Sequence, residues 1–403
     1  MSRRTLRAAG DEAGSDARGP TKAARKRRTT MSPQITPIAD TAQDLELSER
    51  ILTPDGTRIS NPQLDPFIAD VTAEQLRGFL RDMTILRRID AEGVALQRQG
   101  QLGLWAPCQG QEATQIGTAR AIAPNDFVFP SYRETGVIYA RGAQPGDYVR
   151  AWRGEVGAAY DPEKLRCAPL QIIIGAQTLH AVGYALGILH DGADEVAVTY
   201  FGDGATSQGD VNEAMIFAAS YQAPVVFVCQ NNHWAISEPV AVQSQFPISG
   251  RAPGFGIPSL RVDGNDVLAC MAAMRWALAH ARSGKGPAYI ETVTYRMGPH
   301  TTADDPTRYR STDELEAWRR RDPMARLEAH LRVIGELDDE QLAAMNEDAA
   351  RAASDMRAAC LGMVTRPPLA VFDGVYAEPH TGIDRQRAEY AAYVAGFEGE
   401  ASA

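Results

Sequence analysis

Residues 196 to 237 read VAVTYFGDGATSQGDVNEAMIFAASYQAPVVFVCQNNHWAIS, and the fold class follows from them. Val196 to Phe201 is a β-branched and aromatic run that stops at Gly202-Asp203-Gly204, as a buried parallel strand does at its turn. Asp210 suits the cap of a helix whose apolar positions Val211, Met215, Ile216, Ala219 and Tyr221 fall roughly on one face. Pro224 to Cys229 then returns as a second apolar strand. The stretch is a βαβ unit, and it predicts an α/β fold with a mostly parallel sheet and helices on both faces.

A right-handed crossover sets neighbouring parallel strands about 4.8 Å apart, so residues just past their carboxyl ends face one crevice. Asp203 and Asn232 are such residues. One hard oxygen from each, with the backbone carbonyl of Trp234 just beyond, makes half of the octahedral shell that Mg²⁺ demands and leaves positions for diphosphate oxygens and water. Gly204 lets a phosphate come close to the backbone, and the amides opening the next helix favour its charge. The plainer alternative is a Rossmann-like turn in which Asp203 caps a helix and the asparagines form a turn. Gly-Asp-Gly followed after 26 residues by Asn-Asn, in this strand–helix–strand setting, resembles the thiamin-diphosphate motif of decarboxylases, transketolases and 2-oxo acid dehydrogenases.

The chain of 403 residues has room for one large α/β domain with appendages, or two modest domains. Its net charge of −10 argues against general nucleic-acid affinity, and it has no apolar run of transmembrane length, so neither nucleic acid nor membrane is an expected partner. Cys108, Cys167, Cys229, Cys270 and Cys360 are odd in number and scattered without metal-ligand spacing. That pattern points away from disulfides and zinc and toward a reducing cytoplasm. The first thirty residues hold nine Lys or Arg against three Asp or Glu and almost no large apolar side chain. They read as a disordered basic tail, with a transit peptide or a start-site artefact ahead of Met31 as alternatives. The expected division is a tail and extended arm over 1–45, the main domain over 46–365, and a C-terminal arm and helix over 366–403.

Residues 47 to 70 look like an extended arm. Thr72 and Glu74-Gln75 signal a capped helix with Leu76, Leu80, Met83, Leu86 and Ile89 on its apolar face. Glu112, in Gln-Gly-Gln-Glu-Ala, reads as a carboxylate fixing a turn. Tyr132 and Arg133 follow a short strand at Phe127; the guanidinium fork suits phosphate, and a structural ion pair is the alternative. Residues 168 to 190 hold an apolar run with Ile172 and Ile174, then Gly175, then a helix whose Gly183 and Gly187 predict close packing against a neighbour, with His180 a core or interface histidine. Gly254-Phe-Gly256 reads as a flexible loop, and Asp266 as the cap of a helix running through Met274 to Ala281. The strand ending at Tyr295 opens into a Gly/Pro-punctuated loop carrying His300, a place suited to chemistry rather than packing. Mixed helices over 312 to 361 and an amphipathic helix over 383 to 398 complete the chain.

The stretches FPSYRETG, GDGATSQGD, QNNHWAIS, LRVDGNDV and TYRMGPHTTADDPTRYRS stand in one order along the chain. Together they resemble the alpha subunits of the thiamin-diphosphate-dependent first component of branched-chain 2-oxo acid dehydrogenase complexes, and are also similar to those of two-chain pyruvate dehydrogenases. The resemblance runs from about Leu76 to the C-terminal helix and implies the thiamin-diphosphate-binding fold. It implies that Asp203, Asn232 and the Trp234 carbonyl bind Mg²⁺, and that Gly204 and Ala205 meet the diphosphate. It implies further that Tyr132, Arg133 and His300 line the same pocket, that Ile174 holds the cofactor bent, and that Ile172 lies beside its aminopyrimidine. Gln230 departs from relatives that often carry arginine there, and Thr301 stands where animal enzymes carry a regulatory phosphoserine.

What the resemblance implies for function is oxidative decarboxylation of a branched-chain 2-oxo acid with reductive acylation of a lipoyl group. His300 is the expected catalytic residue, since imidazole exchanges protons near neutral pH; phosphate binding alone is the alternative. The glutamate that activates the aminopyrimidine is expected on a separate beta chain, giving an α₂β₂ heterotetramer docked on a lipoyl-bearing acyltransferase. Pyruvate is the alternative substrate, and an acetoin-cleaving dehydrogenase and a non-catalytic cofactor-binding subunit are the other readings.

Overall fold

Five short strands, β1 (Phe127–Phe129), β2 (Ala197–Gly202), β3 (Val225–Asn231), β4 (Ser259–Asp263) and β5 (Ala288–Val293), pair into one sheet in the order β1-β2-β3-β5-β4. Every pairing is parallel, and β2 and β3 are neighbours in register from Ala197 opposite Val225 to Gly202 opposite Gln230. The structure is a computed structural model that describes residues 48–155, 159–364 and 366–398; the basic tail expected over 1–45 lies outside these residues.

Both faces of the sheet are covered, which is why β1, β2 and most of β3 are apolar with little alternation. Val198, Tyr200, Val226, Val228 and Ile290 face a layer built by α1 (Ala73–Arg98), α2 (Glu112–Ala119) and α5 (Val267–His280). Phe201, Val225, Phe227, Cys229 and Tyr289 face the opposite layer, built by α3 (Ala176–Asp191) and α4 (Gly209–Tyr221). The expected capping box opens α1: the Thr72 hydroxyl accepts from Gln75 N, and the Gln75 side chain accepts from Thr72 N. Leu76, Leu80, Met83, Leu86 and Ile89 are all buried, as their spacing predicts.

Asp266 caps α5 through Leu268 N and Ala269 N, and its second oxygen accepts from Ile51 N and Leu52 N, both at 2.7 Å. One carboxylate therefore starts a helix and ties the N-terminal arm to the body. Beyond the sheet come α6 (Thr312–Arg319), α7 (Pro323–Val333), α8 (Asp339–Gly362), which packs along α1, and the largely exposed α9 (Thr381–Glu398).

Three local expectations are corrected, and for Gly183, Gly187 and His180 the core alternative alone falls. Gln208, not Asp210, caps α4, its side chain accepting from Gly209 N at 3.1 Å. The buried stripe of α4 is Val211, Ala214, Met215 and Ala218, while Ile216 and Tyr221 stand 42% and 59% exposed. Small residues mark the packed face because the helix lies close to its neighbours, which turns the bulkier side chains outward. Gly254-Phe-Gly256 is no loose loop but the end of a 3₁₀ helix, Ile248–Phe255, closed by Gly256 at φ +78°. On α3, Gly183 and Gly187 lie on an open face with no atom within 4 Å of where a Cβ would stand, and His180 is exposed.

Candidate active site at the carboxyl ends of the strands

A cavity of about 220 Å³ opens where β1, β2 and β3 end. The turn after β1 contributes Ser131, Tyr132, Arg133 and Glu134; the end of β2 contributes Gly202 to Ala205; the end of β3 contributes Gln230, Asn232 and Trp234 to Ile236. This is the place where parallel sheets of this kind bind ligands, outside the carboxyl ends of their strands. Asp203 and Asn232, expected to share one crevice, line the same cavity, together with Gly204, Ala205, Trp234, Tyr132, Arg133, Ile174 and His300. Ile172 is not among the lining residues and is 64% exposed.

Asp203 is 1% exposed, and burial raises its carboxyl above the ordinary carboxylate range, opposed by the hydrogen bond that Gln243 Nε2 donates to Oδ2 at 3.0 Å. Gly204 is required by packing: a Cβ there would stand 2.7 Å from Ala235 Cβ. The loop after β3 is held in an unusual shape, with His233 at φ +70° and Ile236 at φ +57°. Left-handed backbone at a β-branched residue persists only where its surroundings impose it. Arg296 imposes it, donating from Nη1 to the Trp234 carbonyl at 2.9 Å and from Nη2 to the Ile236 carbonyl at 2.7 Å. The Trp234 carbonyl keeps a second lone pair.

Arg133 is buried and, among the described residues, forms no structural ion pair of the kind weighed from sequence. Its guanidinium donates to the carbonyls of Pro107 at 2.5 Å and His300 at 2.9 Å, and reaches His300 Nδ1 at 3.1 Å. A guanidinium only donates, so Nδ1 accepts and Nε2 carries the imidazole proton. Burial and the charges of Arg133 and Arg296 push His300 down to about 4, and the ring is neutral at pH 7. The expectation of an imidazole titrating near neutrality is thus corrected for the chain by itself. Asp304 anchors the loop by accepting from His300 N at 2.7 Å.

Sequence reasoning passed over Gln111, Glu134 and Arg296. Gln111 is 0% exposed and lines the cavity, and Asn232 Nδ2 donates to its Oε1 at 3.1 Å. Glu134 Oε1 accepts from Gln230 Nε2 at 2.5 Å, and burial pushes the Glu134 carboxyl up to about 7. Gln111 Nε2, Glu134 Oε2 and Gln230 Oε1 have no hydrogen-bond partner among the described residues. The available signal was adjacency: Glu134 follows Arg133, and Gln111 precedes Glu112. Glu112 does fix its turn, accepting from Gly110 N at 2.9 Å and from Arg87 Nε at 2.8 Å.

The model of the dehydrogenase E1 component family matches residues 80–359. The chain is 45% identical over 347 residues to the 3-methyl-2-oxobutanoate dehydrogenase subunit alpha of Mycobacterium tuberculosis, covering 86% of this chain and 94% of that one. It is 40% identical over 312 residues to the pyruvate dehydrogenase E1 component subunit alpha of Staphylococcus epidermidis, covering 77% and 82%. The corresponding subunit of Staphylococcus aureus is 39% identical over 324 residues, covering 80% and 85%. With a family match over most of its length and relatives aligned nearly end to end, the chain belongs to the dehydrogenase E1 component family.

Proposed function

We propose that this chain is the alpha subunit of a branched-chain 2-oxo acid dehydrogenase, with thiamin diphosphate and Mg²⁺ in the cavity and the lipoyl group of an acyltransferase as acceptor. The observation that carries the proposal is the meeting of Asp203, Asn232 and the Trp234 carbonyl with Arg133 and His300 around one cavity, in a chain of this family. The donor set fits the group: three hard oxygens suit Mg²⁺, and Gln111, Glu134 and Gln230, which line the cavity, each carry a buried polar atom without a partner among the described residues. Among the described residues no cluster of three or more His, Cys, Asp or Glu is placed to hold a metal ion, so the remaining ligands come from the diphosphate and water.

When bound, thiamin diphosphate supplies a carbon nucleophile for the 2-oxo group and accepts the electron pair left as carbon dioxide departs. Asp203, Asn232 and the Trp234 carbonyl hold the cation, and Gly204 and Ala205 meet the diphosphate. Arg133 and Tyr132 stand at the same wall, where Arg133 offsets negative charge. Ile174 would give the cofactor apolar support, and Ile172 lies outside the cavity lining. His300, neutral with its proton on Nε2, would orient the 2-oxo acid by a hydrogen bond from Nε2, and it would exchange a proton during acyl transfer only once the negative charge of a bound ligand raises its basicity.

Cofactor activation falls to a glutamate of a beta chain, in an α₂β₂ assembly of the cytoplasm. The relatives' names, each a subunit alpha, support this division. Turnover of 3-methyl-2-oxobutanoate and pyruvate by the chain reconstituted with beta and a lipoyl acceptor tests the proposal. We expect the branched substrate to win, since the relative of that name is 45% identical against 40% for the pyruvate one. A pocket separates substrates differing by a methylene by only about 1–3 kcal/mol, so a preference for pyruvate would move the assignment to that second reading. Full turnover by the chain alone would refute the shared site.

A further inference from the structure

Asn232 has two distinguishable ends, and its neighbours fix which is which. The backbone amide of Trp234 can only donate, so the atom facing it at 3.2 Å is the oxygen Oδ1. Nδ2 therefore faces Gln111 at 3.1 Å, and Gln111 must present Oε1 to it. This leaves Gln111 Nε2 as a buried pair of N–H donors without an acceptor among the described residues, on a residue that lines the cavity. A buried donor left in this state costs on the order of 1–3 kcal/mol.

The position of Gln111 is firmly built. It occupies the N-cap site of α2, yet its side chain makes no capping bond and turns to Asn232 instead. Asp90 accepts from Trp105 Nε1 at 2.8 Å, Cys108 N at 3.1 Å and Gln109 N at 3.0 Å, fastening the segment before it. Gly110, at φ +98°, lies so close to β5's continuation that a Cβ would stand 2.2 Å from the Tyr295 carbonyl oxygen. The amide is held in place before any ligand arrives.

We propose that Gln111 is a ligand-binding residue of this cavity: Nε2 donates to an anionic oxygen of the ligand, while Oε1 holds the Asn232 carboxamide in the orientation that keeps its oxygen away from Gln111. The inference rests on the reading of the cavity as a site for a diphosphate and a 2-oxo acid, either of which supplies such an oxygen. Gln111→Glu keeps an acceptor for Asn232 but removes the donor, and Gln111→Leu removes both.

The test titrates Mg²⁺-thiamin diphosphate into the full-length chain at pH 8 and pH 6, followed by tryptophan fluorescence, and then measures the KM for 3-methyl-2-oxobutanoate in the complex with beta. We expect Q111E to bind about tenfold or more weakly than wild type at pH 8, because a hydrogen bond to a charged group is lost. The gap should narrow at pH 6 as the introduced carboxyl takes a proton and donates again, whereas Q111L stays weak at both. Such a loss in the cofactor titration identifies the diphosphate as the acceptor, and a loss confined to KM identifies the substrate carboxylate. Two variants that match wild type in both measurements overturn the role of Gln111. Failure of the wild-type chain to bind the cofactor, alone or with beta, instead overturns the reading of the cavity itself. Thermal midpoints of the variants at both pH values separate a folding defect from a binding defect, since a purely structural role would move the Q111E midpoint together with its affinity, whereas a ligand-binding role moves the affinity alone.

Discussion

Asp203 and Glu134 are two buried carboxyls on one cavity wall, and burial raises both, but their partners differ. Asp203 accepts from Gln243 and faces the loop that carries Arg296. A charged hard ligand is what a divalent cation needs, so Asp203→Ala should weaken Mg²⁺-dependent cofactor binding by at least about tenfold, read by Mn²⁺ titration under electron paramagnetic resonance. Among the described residues Glu134 has the Gln230 amide as its side-chain hydrogen-bond partner. Unfolded, it releases its proton near 4.5; folded, it keeps the proton up to about 7. Its contribution is therefore fully favourable below pH 4.5, declines as pH rises toward 7, and is level above that. Glu134→Gln removes this decline, and the variant should gain on wild type between pH 5 and pH 8 by up to about 3 kcal/mol, measured as the difference in unfolding midpoints at the two pH values.

At the scale of elements, the loop after β2 and the loop after β3 are pressed together at Gly204 and Ala235. Gly204→Ala would force these loops apart, because its Cβ meets Ala235 Cβ at 2.7 Å. We expect a stable fold with markedly weaker cofactor binding, checked by circular dichroism beside calorimetric titration. The β2-α4-β3 unit was legible in the sequence because its strands are apolar throughout and its loops carry Gly-Asp-Gly and Asn-Asn, signals confined to a few adjacent residues. The helix face of α4 was misread because alanines rather than large apolar residues mark where it packs. Gln111 and Glu134 were not legible as site residues at all. Gln111 reaches Asn232 across 121 positions and Glu134 reaches Gln230 across 96, and a pairing that only the sheet order creates leaves no local pattern. The neutral state of His300 was likewise hidden, since it depends on burial and on Arg133, from a different part of the chain.

Across the whole molecule, the layer formed by α3 and α4 is finished on its sheet side and open on the other. Gly183 and Gly187 face open space, and Leu189, Ile216, Phe217 and Tyr221 are each more than 40% exposed. An apolar surface of this kind is what a subunit contact looks like before assembly. In the proposed α₂β₂ complex, Gly183→Leu should leave the folded chain intact and reduce its association, observed as a shift to smaller species in analytical ultracentrifugation. None of the described helices is long and apolar enough to cross a membrane.

All five thiols are 0% exposed, and burial drives those of Cys108, Cys229 and Cys270 well above their ordinary range. A thiol reagent therefore meets no reactive sulfur on the native surface, and alkylation becomes a clock that ticks only when the structure opens. The clock has two hands. Cys360 sits near the end of α8 and answers to fraying of that helix, whereas Cys229, in the middle of the sheet, answers to opening of the whole domain.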